Sequence, residues 1–270
     1  MKETVLITGA SSGFGKETAK LFQKKGWNVI ASMRSDEEEQ ELKNLENVLV
    51  VQLDVQDTGS IKTAVKAGAE KFGKIDALIN NAGYAVMGIF EQTTEEQIKN
   101  QFDVNVFGMM RVTQAVLPFM RKNGKGAIVN ISSIAGVVGF PFASIYESSK
   151  FAVEGFSEAL HFELFKLGIK VSIIEPGSAK TNFGNAKEMV PNGIEEYKPL
   201  INAFYGNYPK KTATFTNASP ADVATTIYKA ATDEGSKLRY AVGEDCQFFI
   251  DTKLKNTEKT YLEAIRDFFN

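Results

Sequence analysis

The chain has 270 residues, 43% of them hydrophobic and 24% charged, with 31 Lys and Arg against 33 Asp and Glu. That size and composition suit one large or two small globular domains with a sizeable core, and the near-neutral charge without a basic block argues against a nucleic-acid partner. One Cys and one His leave no material for a disulfide framework or a His/Cys zinc site, and only His161 could serve a serine-hydrolase triad.

Met1 to Thr4 lead straight into Val5-Leu6-Ile7, an apolar run too short for a signal peptide. Short apolar, partly β-branched runs at 5–8, 28–31, 48–55, 75–80, 127–131, 171–175 and 240–242 read as strands. Most are near-continuous and not alternating, the pattern of strands buried on both faces. Helical periods fall between them at 16–25, 60–72, 95–117, 144–166 and 221–233. Capping signals precede several, among them Asp57-Thr58, Thr93-Thr94-Glu95-Glu96 and Ser219-Pro220-Ala221-Asp222. The alternation predicts an α/β fold: a single domain, 1–270, with a doubly wound, Rossmann-like parallel sheet and helices on both faces. The charge-free stretch 126–146 has the length of a membrane span, but Asn130, Ser132, Ser133, Pro141 and Ser144 make it strand and loop, so no membrane span is expected. A lone thiol, Cys246, suits a reducing, cytoplasmic compartment and reads as a small buried hydrophobe. Residues 184–216 interrupt the alternation and contain Tyr197, Phe204, Tyr205, Tyr208 and Phe215. They are expected to be a substrate-binding loop insertion forming an apolar lid.

The first strand ends in Thr8-Gly9-Ala10-Ser11-Ser12-Gly13-Phe14-Gly15 and opens into a helix. Glycines there allow a sharp turn and close approach to a pyrophosphate held at the helix N-terminus. The spacing is G-x-x-x-G-x-G, distinct from the commoner G-x-G-x-x-G fingerprint. About 20 residues on, where an NAD site places an acid for the ribose 2′-OH, stand Ser32-Met33-Arg34-Ser35. Arg34 could clamp a 2′-phosphate, so NADP is favoured; the competing reading leaves Arg34 as a surface charge and gives Asp36 the acidic task.

Tyr146 and Lys150 sit four residues apart on a predicted helix and therefore share a face. Ser132 and Ser133 close the preceding strand, where α/β folds place their ligand crevice. A phenol near pKa 10 is a poor proton carrier at neutral pH, and an ammonium about 4 Å away at an effective dielectric near 20 supplies about 4 kcal/mol, enough to lower it by roughly three units. Tyr146 is thus expected to be lowered by Lys150.

Taken together, these motifs resemble the shorter, single-domain branch of the short-chain dehydrogenase/reductase family. The glycine loop at 8–15, Leu53-Asp54-Val55, Asn80-Asn81-Ala82-Gly83, Asn105-Val106-Phe107-Gly108, the 13-residue interval from Ser133 to Tyr146, and Pro176-Gly177 with Thr181 all match in order over about residues 8–181. The resemblance implies that Tyr146 exchanges the hydroxyl proton and Lys150 tunes it and holds the nicotinamide ribose. It gives Ser133 the substrate oxygen and makes Asn105 position a helix backbone and a relay water. It implies cofactor contacts at Gly9, Ser11, Ser12, Gly13, Phe14, Gly15, Arg34, Asp54, Val55, Asn81, Ala82, Gly83, Tyr146, Lys150, Pro176, Gly177 and Thr181, and no metal. Leu238-Arg239-Tyr240-Ala241-Val242-Gly243-Glu244-Asp245 looks more like the branch with retinol and 17β-hydroxysteroid dehydrogenases than like the common tetrameric ending, which leaves a homodimer and a homotetramer both open. The helices at 95–117 and 144–166 offer the interface.

The expected activity is NADP(H)-dependent interconversion of a ketone or aldehyde and an alcohol, on a bulky hydrophobic small molecule. Pro141 and Phe142 would border its pocket. The alternative from another class is a non-catalytic dinucleotide-sensing regulator on the same fold, which would typically have lost Tyr146 or Lys150. An extended epimerase or dehydratase would need a larger C-terminal domain, and the known enoyl reductase branch spaces its tyrosine and lysine further apart. His161, Asp103 and Glu175 are read as structural.

Overall fold

In the computed structural model, all residues are described except 1, 36, 38, 180–186 and 236. The apolar runs become β1 (Thr4–Ile7), β2 (Asn28–Met33), β3 (Val48–Gln52), β4 (Ala77–Asn80), β6 (Gly126–Ile131), β7 (Ile169–Pro176) and β9 (Arg239–Val242). They form one parallel seven-stranded sheet in the order β3-β2-β1-β4-β6-β7-β9. Between β4 and β6 lies β5 (Ala85–Met87), which pairs in parallel with β8 (Lys187–Met189) as a separate two-stranded ribbon. These two short strands were not expected, because three residues are too few to show a period.

Successive strand residues point to opposite faces, and both faces are covered. Val5 and Ile7 face the cluster containing Phe22, Trp27, Val223 and Ile227, under helices α1 (Gly13–Lys24) and α7 (Pro220–Thr232). Leu6 faces the other cluster, with Ile61 and Val65 of α2 (Thr58–Phe72), Val112, Val116 and Met120 of α4 (Met109–Asn123), and Leu160 and Leu164 of α5 (Ser144–Leu164). This two-sided burial is why the strands read as unbroken apolar runs. The chain order doubles back between β1 and β4, so a crevice opens at the carboxyl ends of these strands.

Local signals set most boundaries. Asp57 accepts from the Gly59 N–H at 2.7 Å to open α2, and Gly73 ends it at φ +82°. Ser219 and Asp222 form a reciprocal capping box ahead of α7, with Pro220 at its start. Thr94 and Gln97 do the same for α3 (Glu95–Phe102). The helix expected at 95–117 differs in two ways. A π-helical turn at Asp103–Gly108 separates α3 from α4, and α4 runs through Pro118 to Asn123. Fully buried Met120 anchors the extra turn, packing that outweighs the bond the proline forfeits.

Beyond the crevice, a third cluster joins Ile134 and Val138 to Phe204 of α6 (Lys198–Thr212), Phe249 of α8 (Glu244–Leu254), Tyr261 of α9 (Glu258–Arg266), and Phe268. Most of the region expected as a loop at 184–216 is therefore β8 and α6, its residues 184–186 lying outside those described. Prolines at 199 and 209 and a polar–aromatic mixture hide the helical period of α6. Among the described residues, no helix is long and apolar enough to cross a membrane.

Candidate active site

The carboxyl ends of β1, β2, β4, β6 and β7 converge on one cleft of about 1380 Å³. Its first wall is backbone. Gly9 and Gly13 take φ of +67° and +54°, conformations that favour glycine. A Cβ on Gly15 would lie 2.3 Å from the Gly9 carbonyl oxygen and 2.5 Å from Asn81 Nδ2, so α1 starts as close to β1 as backbone allows. Asn81 Nδ2 donates to the Thr8 and Gly9 carbonyls at 2.9 and 3.0 Å. The N–H groups of Asn81 and Ala82 both donate to Thr8 Oγ1 at 3.0 Å. Thr8 and Asn81 thus tie the glycine loop to the end of β4.

Gly9, Ser11, Ser12, Gly13 and Phe14 line the cleft, with Gly15 behind them. The Ser12 side chain makes no capping bond and α1 has no acid in its first turn, which leaves a helix N-terminus suited to an anion. Exposed Arg34 lies at the end of β2 and shares a shallow hollow with Ser11 and Ser35. Asp36 lies outside the described residues. Asp54 and Val55 line the cleft after β3, where the Asp54 carboxylate accepts from Gln56 N–H at 2.9 Å. Asn81, Ala82, Gly83, Pro176 and Gly177 complete this side, and Thr181 lies outside the described residues. An uncapped helix start and a glycine cradle together fit the diphosphate of a dinucleotide.

Tyr146, Lys150 and Ser133 reach the cleft from α5 and the end of β6. Ser133 hydrogen-bonds Tyr146; Ser133 Oγ also accepts from Ala135 N–H at 3.2 Å. Lys150 Nζ donates to the Ile131 carbonyl at 2.8 Å and stands 5.8 Å from the centre of the Tyr146 ring. The expected lowering of the phenol is not what the protein alone produces. Burial pushes Tyr146 up to about 12, against the Ser133 hydrogen bond, which lowers it, and with Glu147 raising it further. Burial likewise draws Lys150 down to about 8, opposed by Glu154. Desolvation disfavours phenolate and ammonium alike.

Asn105 falls in the π-helical turn, a feature frequent at functional sites. Its side chain is set behind the cleft. It accepts from Tyr84 N–H at 3.0 Å, and it donates to the Tyr84 carbonyl at 2.9 Å and to Ser149 Oγ at 3.1 Å. Ser149 Oγ in turn donates to the Tyr146 carbonyl at 2.6 Å, so Asn105 is joined to the helix that carries Tyr146.

The far side of the cleft is aromatic, lined by Phe140, Pro141, Phe204, Tyr205 and Tyr208. Phe142 does not line it, contrary to expectation; its ring packs against Phe204 and stacks on Tyr205. Tyr197 and Phe215 also lie elsewhere, bonded to Glu91 and packed on Phe248. His161 is remote, its Nδ1 3.2 Å from the Val171 carbonyl. Asp103 pairs with Arg111 at 2.6 Å, and Cys246 Sγ donates to the Glu175 carbonyl at 3.0 Å.

Sequence reasoning missed Glu147, which lines the cleft beside Tyr146, although its place on the helix was legible. It also missed buried Asp245, whose carboxylate accepts from Ser178 N–H at 2.6 Å and whose Oδ1 sits where a Gly177 Cβ would be, 2.2 Å away. No local pattern reveals a partner 67 residues distant.

A doubly wound sheet with this cleft at its switch point and a glycine loop after its first strand is the frame of a dinucleotide-binding protein. The short chain dehydrogenase profile matches residues 3–190, and the chain belongs to the short-chain dehydrogenase/reductase family. It is 42% identical over 234 residues to an uncharacterized oxidoreductase of Schizosaccharomyces pombe, covering 87% of this chain and 98% of that one. It is 44% identical over 181 residues to the 3-ketodihydrosphingosine reductase of Bacteroides thetaiotaomicron, covering 67% and 65%. A solved short-chain dehydrogenase from Streptomyces avermitilis superposes with a TM-score of 0.83 at 34% identity, covering 99% and 94%. Similar structures hold either cofactor: ElxO has NADP bound (TM-score 0.75, 30% identity, 89% and 98% covered), and a 3-ketoacyl-(acyl-carrier-protein) reductase from Brucella melitensis is complexed with NADH (0.76, 25%, 89% and 96%).

Proposed function

We propose that this protein is an NADP(H)-dependent carbonyl reductase that interconverts a bulky hydrophobic ketone or aldehyde and its alcohol. The observation that carries the reading is the meeting of Ser133, Tyr146 and Lys150 in a single cleft whose one wall is glycine backbone and whose other is aromatic. A sensor on the same fold has no use for that trio. Similarity to a named 3-ketodihydrosphingosine reductase supports a ketone as the oxidised partner.

The nicotinamide, when bound, supplies or takes the hydride at the carbonyl carbon. Everything else falls to side chains and backbone of this chain. Gly9 and residues Ser11 to Gly15 would hold the diphosphate, Arg34 with Ser11 would hold the 2′-phosphate, and Asp54 and Val55 would bound the adenine. Asn81, Ala82 and Gly83 form the floor, and Lys150 would hold the ribose. Pro176 and Gly177 would receive the carboxamide, with Thr181, outside the described residues, given the same role by the family resemblance. Ser133 donates to the carbonyl oxygen and Tyr146 gives it a proton, becoming a phenolate as the alcohol forms. The Lys150 charge stabilises that phenolate. Asn105 positions α5 through Ser149.

A phenol held near 12 and an ammonium held near 8 suit the reductive direction below pH 8, with Tyr146 protonated and Lys150 charged. Because Lys150 sheds its proton as pH rises through about 8, kcat/KM for reduction is expected to be level below that pH and to fall above it, as a pH–rate profile would show. The same reading makes the chain a homodimer or homotetramer, supported by exposed Phe151 and Phe162 on α5.

Absorbance-monitored oxidation of NADPH and NADH against a panel of bulky ketones and aldehydes tests the proposal. Turnover well above background with NADPH over NADH is the expected result. A preference for NADH would overturn the assignment to Arg34, and binding without turnover would favour the sensor.

A further inference from the structure

Residues 137–142 run between Ser133 and Tyr146 and carry Phe140 and Pro141 into the aromatic half of the cleft. This stretch lies outside regular helix or strand and is held by side chains from other segments. The Gly139 N–H donates to Tyr261 Oη of α9 at 2.9 Å, and the Tyr261 hydroxyl faces the Gly139 carbonyl at 3.4 Å. Lys253 Nζ of α8 donates to the Val137 carbonyl, and the same ammonium lies over the rings of Phe151 and Tyr261, 5.0 and 5.6 Å from their centres. Glu147 accepts from the Phe140 N–H at 2.5 Å.

The far end of the loop is held as firmly. Phe142 has φ +64°, a left-handed conformation that a bulky residue keeps only where its surroundings impose it. Its carbonyl accepts from Gly88 N–H at 2.7 Å, and its ring is packed by Phe204, Tyr205 and Phe269. Two of the anchors thus come from α8 and α9, more than 110 residues downstream and beyond the segment 3–190 that matches the family profile. Neither Tyr261 nor Lys253 lines the cleft. They grip the backbone of the segment that carries Phe140 and Pro141 into the aromatic wall.

We propose that Tyr261 and Lys253 are positioning residues for substrate size: by fixing residues 137–142 they hold Phe140 and Pro141 against a bulky substrate, without touching the chemistry at Tyr146. This rests on the carbonyl reductase reading. A small carbonyl compound occupies only the space beside Ser133 and Tyr146 and is indifferent to the brace. A large one draws its binding from the aromatic wall and needs that wall in place.

The test uses the whole chain as Tyr261→Phe, which removes only the hydroxyl, and Lys253→Met, which keeps the stem and removes the ammonium. The second variant carries the proposal if the first fails to fold. Two readouts are taken. Backbone hydrogen exchange over 137–142 reports on the brace independently of activity, and steady-state kinetics with NADPH compare a bulky aryl ketone with a small aliphatic one. The expected result is faster exchange over 137–142 and a KM for the bulky ketone raised roughly three- to tenfold, the weight of about one hydrogen bond. KM for the small ketone, KM for NADPH and kcat stay within about twofold. Unchanged exchange overturns the brace. Faster exchange with equal losses on both ketones overturns its role in substrate size and leaves a structural tie. If the unaltered protein turns over no ketone, the carbonyl reductase reading fails, and exchange alone then decides whether α8 and α9 hold the loop.

Discussion

The two sides of the cleft are built from different material. The side assigned to the cofactor is backbone brought close: Gly9, Gly13 and Gly15 within one turn, pinned by Thr8 and Asn81 at 2.9 to 3.0 Å. The side assigned to the substrate is aromatic side chains from β6–α5 and α6, and Phe249 and Phe268 back Phe140 and Phe204 edge to face at 5.1 and 6.1 Å. A backbone wall admits little change, because an added methyl meets fixed atoms. A wall of side chains can be reshaped by substitution one ring at a time, so the first part of the molecule is set by the cofactor it takes and the second by the side chains that stand there.

The largest expected effect is therefore at the glycine cradle. Gly15→Ala places a Cβ 2.3 Å from the Gly9 oxygen, which should cost about 1–3 kcal/mol of stability as overpacking and abolish NADPH binding. Chemical denaturation and fluorescence titration measure the two losses, and a variant that still binds NADPH normally would break the contrast. Next comes Arg34→Ala, which removes the guanidinium beside Ser11 and should raise KM for NADPH about 10- to 100-fold, with NADH changed by less than about twofold. Equal effects on both cofactors would return Arg34 to the solvated surface.

The smallest effect on activity is expected at Glu147→Gln, and it shows in stability. Burial pushes this carboxyl up to about 7 from 4.5, so the folded state holds a proton that the unfolded state has already released between those values. The stabilisation from that proton is complete below about pH 4.5 and is lost as pH rises through about 7, above which the buried charge is a cost. Glutamine can still accept from Phe140 and carries no charge. The variant should gain on the unaltered protein by about 3 kcal/mol between pH 4.5 and 7.5, on the order of the shift converted at about 1.4 kcal/mol per unit. Denaturation midpoints across that range check the sign.

The same contrast explains what could be read from the sequence. Glycines at fixed spacing, Asn81 and the Tyr146–Lys150 pair were legible because their geometry is local, set by one turn or one helical face. The seven strands were legible because burial on both faces leaves unbroken apolar runs. Helix α6 was not, since Pro199 and Pro209 obscure its period; α9 was missed although Thr257, which accepts from the Thr260 N–H, caps it and its apolar residues recur at helical spacing. Asp245, Lys253 and Tyr261 act on residues 67 to 122 positions away, and a single sequence carries no trace of such pairings. The state of Tyr146 was misjudged for a related reason. Its pKa depends on how deeply the fold buries it, and spacing along a helix says nothing of depth.

The central claim is that Tyr146 moves a proton in a site that otherwise only binds. Tyr146→Phe, assayed side by side for NADPH binding by fluorescence and for NADPH oxidation with a bulky ketone, tests it most directly. Loss of turnover by about 10²- to 10⁴-fold, the usual share of a general acid, with NADPH affinity within about threefold, is the predicted result. Turnover retained by the phenylalanine variant would contradict the account.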